Sequence, residues 1–118
     1  MPMAQLNIEG DALVVRFTVL EKLLGLVHDQ RFPLSAVTDA HAESDGLRAV
    51  HGLRAPGLGM PGARKLGTWR GRGTTTLVSV ARRQPALVVQ LSGQSYDALV
   101  IGCEKPQEYV ARLVAQRG

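Results

Sequence analysis

Short runs of apolar residues, many of them alternating with polar ones, predict a fold built mainly of β-strands. Residues 5–8 and 12–18 are two such runs, and the sequence Glu9-Gly10-Asp11 between them is typical of a tight turn. Residues 34–43 alternate with a period of two, so one face of that strand is expected to point inward. The inward set is Leu34, Ala36, Thr38, Ala40 and Ala42.

The second half of the chain has four more strand-like runs, at residues 63–69, 74–81, 86–91 and 96–102. Short segments rich in Gly, Pro, Ser and Gln separate them, which is typical of hairpin turns. Three successive hairpins predict an antiparallel meander, because strands adjacent in sequence usually pair.

Two helices are predicted from apolar residues at helical spacing. The first covers residues 19–26, with Leu20, Leu23, Leu24 and Val27 as its apolar stripe and Glu21 and Lys22 opposite; an apolar strand is the alternative. The second begins at Pro106, a favoured first-turn residue, and runs to the end of the chain. Its apolar stripe is Tyr109, Val110, Leu113 and Val114.

Residues 44–62 are rich in glycine and proline and show no strand or helix period, so they predict a long irregular segment. Leucines at positions 47, 53 and 58 are expected to fix this segment to the core. Such loops in compact domains are usually functional or mobile.

Several short motifs resemble the small bacterial, actinobacterial-type proteins with a pleckstrin-homology-like domain. These motifs span nearly the whole chain and consist of hydrophobic pattern and turn chemistry. They are Arg31-Phe32-Pro33-Leu34-Ser35-Ala36-Val37, Gly52-Leu53-Arg54-Ala55-Pro56-Gly57, Gly67-Thr68-Trp69-Arg70 and Lys105-Pro106-Gln107-Glu108-Tyr109.

The resemblance implies a mainly β (α+β) fold, in which seven antiparallel strands form a partly open barrel capped by the C-terminal helix. It also implies a single domain over residues 1–118 that serves as a binding or assembly module. Members that bind phosphoinositides have Lys and Arg in the first hairpin, whereas this chain has Glu9-Gly10-Asp11 there. The resemblance therefore extends to the fold and not to an inositol phosphate ligand.

Length and composition agree with one globular domain: the chain has 118 residues, of which 45% are hydrophobic. Cys103 is the only cysteine, so no intrachain disulfide forms, and its apolar setting predicts a small buried hydrophobe. The start of the chain lacks the pattern of a signal peptide, and no apolar run approaches the ~20 residues of a membrane helix. A cytoplasmic bacterial protein is the expectation.

The net charge of +4 is unevenly distributed along the chain. Residues 1–45 have seven acidic and three basic residues, a balance of −4, and residues 86–118 balance at zero. Residues 46–85 contain eight basic residues and no acidic one. This basic segment either forms a solvated face that pairs with the acidic first third, or it faces an anion.

A weak peripheral contact with an anionic membrane, or with another polyanion, is the corresponding functional hypothesis. Three or four basic residues at ~1 kcal/mol each give about 3–4 kcal/mol, which is too little for a stable anchor. Nucleic acid is not expected as a partner, because aromatic residues make up only 4% of the chain. The candidate basic surface consists of Arg54, Arg64, Lys65, Trp69, Arg70 and Arg72.

No pattern predicts catalysis, a metal site or a cofactor. Residues 57–62 match the dinucleotide motif G-x-G-x-x-G, but Pro61 removes a donor and a strand-like run follows instead of a helix. Asp39, His41 and Glu43 share one strand face, yet the two carboxylates are ~13 Å apart and cannot hold one ion. Hydrolysis through His41 or His51 is a distant third hypothesis.

The sequence therefore predicts a non-enzymatic binding or assembly module without a cofactor. The expected partner is a protein, a peptide or another copy of the chain, because strand edges in such a fold can accept another strand.

Overall fold

The computed structural model of the chain describes residues 4–25, 27–46, 53–60, 64–71, 73–81 and 83–117. The first half contains β1 (Gln5–Glu9), β2 (Ala12–Arg16), α1 (Val19–Gly25), β3 (Gln30–Pro33), a short 3₁₀-helix (Leu34–Ala36) and β4 (Val37–Glu43). The second half contains β5 (Leu53–Met60), β6 (Arg64–Arg70), β7 (Thr75–Ala81), β8 (Ala86–Leu91), β9 (Ala98–Gly102) and α2 (Pro106–Arg117).

The first three strands form an antiparallel sheet in the order β1-β2-β3. The predicted first hairpin is confirmed: Glu9 pairs with Ala12, which leaves Gly10 and Asp11 as the turn. Gly10 has a φ of 62°, a left-handed conformation that glycine adopts without steric cost. β2 is shorter than predicted, because the backbone N–H of Phe17 donates to the Asp29 carboxylate instead of continuing the ladder.

The other six strands form a second sheet in the order β4-β8-β9-β7-β6-β5. The predicted pairings of β6 with β7 and of β8 with β9 are confirmed, and both pairs are antiparallel. The predicted meander is wrong in its middle hairpin, because β9 lies between β7 and β8 and runs parallel to β7. Leu99, Val100 and Ile101 in β9 are all at most 1% exposed, as expected for a central strand with neighbours on both sides.

Part of the predicted irregular segment is a strand. Leu53–Met60 forms β5, which pairs antiparallel with β6 and has an irregular register between Arg54 and Gly57. Pro56 and the glycines conceal this strand in the sequence, and an edge strand tolerates such residues where a central strand does not. Residues 47–52, 61 and 62 of that segment lie outside the described residues.

The predicted strand 34–43 is also divided. Its first three residues form the 3₁₀-helix, and the register of β4 shifts between Val37 and Asp39. Val37 is buried and Ala40 packs against the main core, whereas Thr38, which was expected to point inward, is exposed. The shift is a β-bulge. After it, the residues that point inward are those at even positions, whereas Val37 before it is at an odd position.

The fold is mainly β with a C-terminal helix, as expected, but the barrel is not confirmed. The described part of the chain contains nine strands instead of seven, and neither of its two sheets closes on itself. The main core contains residues of both sheets. Its fully buried large side chains include Leu13, Phe32, Leu77, Leu87, Leu99 and Ile101.

Helix α2 has the start that was predicted, at Pro106, and it joins the two sheets. Leu113 is 1% exposed and belongs to the main core, where α2 packs mainly against β4 and also against β8. On the first sheet, the Tyr109 hydroxyl donates to the Leu6 carbonyl at 2.9 Å. The helix is therefore fixed to β1 on one side and to β4 on the other.

A second buried apolar cluster lies on the other face of the six-stranded sheet. It consists of Trp69, Val78, Val80, Ala86, Val88 and Val100. Gly46 packs against it: a Cβ at that position would lie 2.5 Å from the Ala86 Cβ and 2.6 Å from the Val80 Cγ2. We call the face with this cluster the outer face, and the face towards the main core the inner face.

Candidate binding surfaces

The structure does not place the predicted basic residues at one point. Arg64 and Lys65 stand at one end of β6 and the exposed Arg70 at the other, so Lys65 and Arg70 are five positions, or about 17 Å of strand, apart. Arg54 stands opposite Trp69 in the register. Arg72 lies outside the described residues. The backbone thus places Arg64 and Lys65 at one end of β6, and Arg54 and Arg70 close together at the other end.

Trp69, the aromatic member of that predicted surface, is 4% exposed. Its indole belongs to the outer apolar cluster, where it contributes to packing instead of to an exposed contact. The alternation of β6 explains this placement, since Leu66 lies in the inner core and Trp69, three positions later, lies on the opposite face.

The acidic first third contains several ion pairs of its own. Glu9 pairs with Arg16 and, at 3.8 Å, with Arg31. The hydrogen bond from Arg16 lowers the pKa of Glu9. Asp29 pairs with Lys22 at 3.3 Å. Its pKa is lowered mainly because it accepts a hydrogen bond from the Phe17 N–H. Two of the acidic residues are thus neutralised by cations from the same third.

The predicted shared face of Asp39, His41 and Glu43 is confirmed. The His41 Nδ1 lies 3.6 Å from an Asp39 oxygen, and its Nε2 lies 3.3 Å from a Glu43 oxygen. The cross-strand neighbour of His41 is Val88, which offers no nucleophile. Among the described residues, no group of three His, Cys, Asp or Glu side chains is placed to hold a metal ion. These three residues therefore form a polar row on the outer face of β4.

Cys103 is half-buried and packs against the main core. Burial raises the pKa of its thiol, which keeps it protonated and hence a poor nucleophile. This agrees with the expected role of a small hydrophobic residue.

Helix α1 begins with a capping box. The Thr18 Oγ1 accepts a hydrogen bond from the Glu21 N–H, and a Glu21 carboxylate oxygen accepts one from the Thr18 N–H, both at 3.1 Å. The signal was present as the spacing Thr-x-x-Glu. The other Glu21 oxygen accepts a hydrogen bond from the Ser79 hydroxyl of β7 at 3.2 Å.

These hydrogen bonds orient α1 with Glu21 towards the inner face of the sheet. Glu21 is only 3% exposed, whereas Val19 and Leu23, on the opposite side of the helix, are 73% and 70% exposed. The predicted stripe is therefore wrong at Leu23, and the predicted solvent position is wrong at Glu21. Val19 and Leu23 are the two exposed large hydrophobic residues of the described chain. We call this pair the α1 patch.

The outer face also contains a shallow depression of about 170 Å³. Val88 and Val100 form its floor and stand opposite each other in β8 and β9. Ala98 and Thr76 continue the same face into β7, and Gln90 and Asp97 stand at the rim. The sequence alone could not show this depression, because it depends on β9 lying between β7 and β8.

Comparisons with protein-family models, with curated proteins and with solved structures found no match. No described helix is both long and apolar enough to span a membrane.

Proposed function

We propose that this chain is a non-enzymatic module that binds a protein or peptide through the α1 patch. The single observation that supports this proposal is the orientation of α1, which exposes an apolar pair and buries a glutamate. Exposed apolar side chains keep an unfavourable contact with water, and a partner that covers them removes this cost. The hydrogen bonds of Glu21 to Thr18 and Ser79 hold this orientation in place.

We propose a relation to pleckstrin-homology-like domains, supported by two antiparallel-rich sheets around one core and by a terminal helix that joins them. The parallel pair of β7 and β9 is a departure from the expected plan. The alternative function, weak binding to an anionic membrane through residues 46–85, has less support, because Trp69 is buried and the basic positions stand at both ends of β6.

A selection of random twelve-residue peptides tests the proposed function, together with sedimentation of the pure protein. We expect enriched peptides with apolar residues, or a dimer, and we expect the double variant Val19→Asp/Leu23→Asp to lose at least tenfold in affinity. The double variant replaces the apolar contact with two charges. Binding then no longer buries apolar surface and must instead desolvate two carboxylates. The variant should unfold at nearly the wild-type temperature, because exposed substitutions usually change stability by only about 0.5 kcal/mol.

The matched control is Gln107→Asp, an exposed position on α2, which should leave the affinity unchanged. A monomeric protein that enriches no peptide would contradict the proposed function. Ligands that bind the double variant as tightly as the wild type would contradict the role of the α1 patch.

A further inference from the structure

The depression on the outer face is a second surface, separate from the α1 patch. Glu21 contacts Ser79, which lies on the same side of β7 as the core residue Leu77. Thr76, which lines the depression, has the opposite phase in that strand. The helix and the depression are therefore on opposite faces of the six-stranded sheet, and a short ligand of one does not reach the other.

The depression combines an apolar floor with hydrogen-bond acceptors at its mouth. Val88 is 5% and Val100 is 1% exposed, so the floor is the top of a packed layer and not a mobile loop. Thr74, Gln90 and Asp97 are exposed at the rim and supply a hydroxyl, an amide oxygen and a carboxylate. At about 30 Å³ per water-sized group, the volume of about 170 Å³ has room for roughly six non-hydrogen atoms.

The carboxylate of Asp97 is held in a fixed position. Its Oδ2 accepts a hydrogen bond from the Thr75 N–H at 2.8 Å, and the Asp97 N–H donates to the Thr75 carbonyl at the same distance. In the described ranges, no ion pair joins Asp97 to a basic side chain. One carboxylate oxygen thus remains able to accept hydrogen bonds from a ligand.

The border of the depression along β4 is acidic as well. Asp39 stands opposite Gln90 in the register, and His41 stands opposite Val88, so the polar row of β4 borders the depression on the same face. Glu43 completes this row, which gives three carboxylates and one histidine on the face that includes the rim. A cation on an apolar stem complements this arrangement of charge and shape.

We propose that the depression binds an arginine side chain of a partner protein. The aliphatic stem would lie on Val88 and Val100, and the guanidinium would donate to Asp97 and to the neighbouring oxygens at the rim. Arginine fits better than lysine, because five donors in a plane can serve several acceptors, whereas an ammonium has three. With the α1 patch on the opposite face, the chain would contact partners on both sides of its sheet.

An NMR titration of the ¹⁵N-labelled protein tests this proposal. The probe is the capped pentapeptide Gly-Ser-Arg-Ser-Gly, and its twin contains citrulline, which has the same shape without the charge. We expect saturable shifts of the amides of Val88, Gln90, Ala98 and Val100 with the arginine peptide, and about tenfold weaker binding of the citrulline peptide. A lysine peptide should bind with an intermediate affinity.

Two variants sharpen the test. Asp97→Asn keeps an oxygen for the Thr75 N–H but removes the charge. The variant should therefore bind the arginine peptide about tenfold more weakly and the citrulline peptide with unchanged affinity. Ala98→Leu should fill the depression and abolish both. The control is Glu104→Gln, an exposed carboxylate that does not line the depression.

The proposal would be overturned if the arginine and citrulline peptides bound equally well, if the arginine peptide bound Asp97→Asn as tightly as the wild type, or if millimolar arginine peptide shifted no amide signal. None of these results bears on the α1 patch, whose test uses Val19 and Leu23. The two proposals therefore stand or fall separately.

Discussion

Replacing Phe32 by alanine should lower the free energy of unfolding by about 3–5 kcal/mol, the usual range for a large aromatic residue in a core. Phe32 is 2% exposed in β3, where it stands opposite Leu13. Its ring meets the ring of Tyr96 edge-on, with centroids 6.4 Å apart and an interplanar angle of 83°. Since Tyr96 precedes β9, this contact joins the first sheet to the second. Urea unfolding followed by far-UV circular dichroism measures the loss.

The control for Phe32→Ala is Ser35→Ala, an exposed position three residues later, which should change stability by less than about 0.5 kcal/mol. A loss below 1 kcal/mol for Phe32→Ala would contradict a core shared by both sheets. Two separate transitions in the wild-type unfolding curve would contradict it equally, because a shared core unfolds as one unit.

Replacing Glu21 by alanine should lower the free energy of unfolding by about 2–3 kcal/mol. The substitution removes the Glu21 half of the capping box, a contribution of about 0.5–2 kcal/mol, and also the buried hydrogen bond from the Ser79 hydroxyl to the carboxylate. Ser79→Ala should cost less, and the double variant should be more stable than the sum of the single losses predicts, because the two side chains are in contact. Thermal and urea unfolding of all four proteins completes this double-mutant cycle.

Glu104→Ala is the control for Glu21→Ala, since Glu104 is an exposed carboxylate outside any helix. A loss at Glu21 no larger than at Glu104 would mean that Glu21 faces solvent, with Leu23 turned inward. Additive effects of Glu21→Ala and Ser79→Ala would contradict their hydrogen bond.

Local signals in the sequence predicted the elements that depend on local chemistry. The first hairpin follows from Gly10 in its turn, and α2 follows from Pro106 and the spacing of Tyr109 and Leu113. The position of β9 between β7 and β8 depends on pairing between distant segments, and its apolar run fits either topology. β5 remained hidden because Pro56 and the glycines resemble a loop, although an edge strand accommodates them.

The binding surfaces were less predictable than the fold. The shared face of Asp39, His41 and Glu43 follows directly from strand alternation. By contrast, the hydrophobic spacing around Leu23 predicts burial, whereas in the structure Glu21 is buried and accepts a hydrogen bond from Ser79, and Leu23 is exposed. The depression forms where β7, β8 and β9 lie side by side, and no local sequence pattern predicts that arrangement.

The orientation of α1 places the two proposed binding surfaces on opposite sides of the six-stranded sheet. One face of the six-stranded sheet is covered by the main core and by α1, which presents Val19 and Leu23 to solvent. The other face presents the depression with Asp97 at its rim. The proposed apolar patch and the proposed arginine-binding depression therefore face away from each other.

Alkylation of a thiol introduced by Leu23→Cys measures the exposure of the α1 patch directly. Cys103 is the internal reference, because its half-buried thiol has a raised pKa and should react slowly. We expect the thiol at position 23 to react with iodoacetamide about tenfold faster than Cys103 in the folded protein, and to be protected by a saturating selected peptide. A thiol at position 23 that reacts as slowly as Cys103, or that no ligand protects, would contradict binding through this helix.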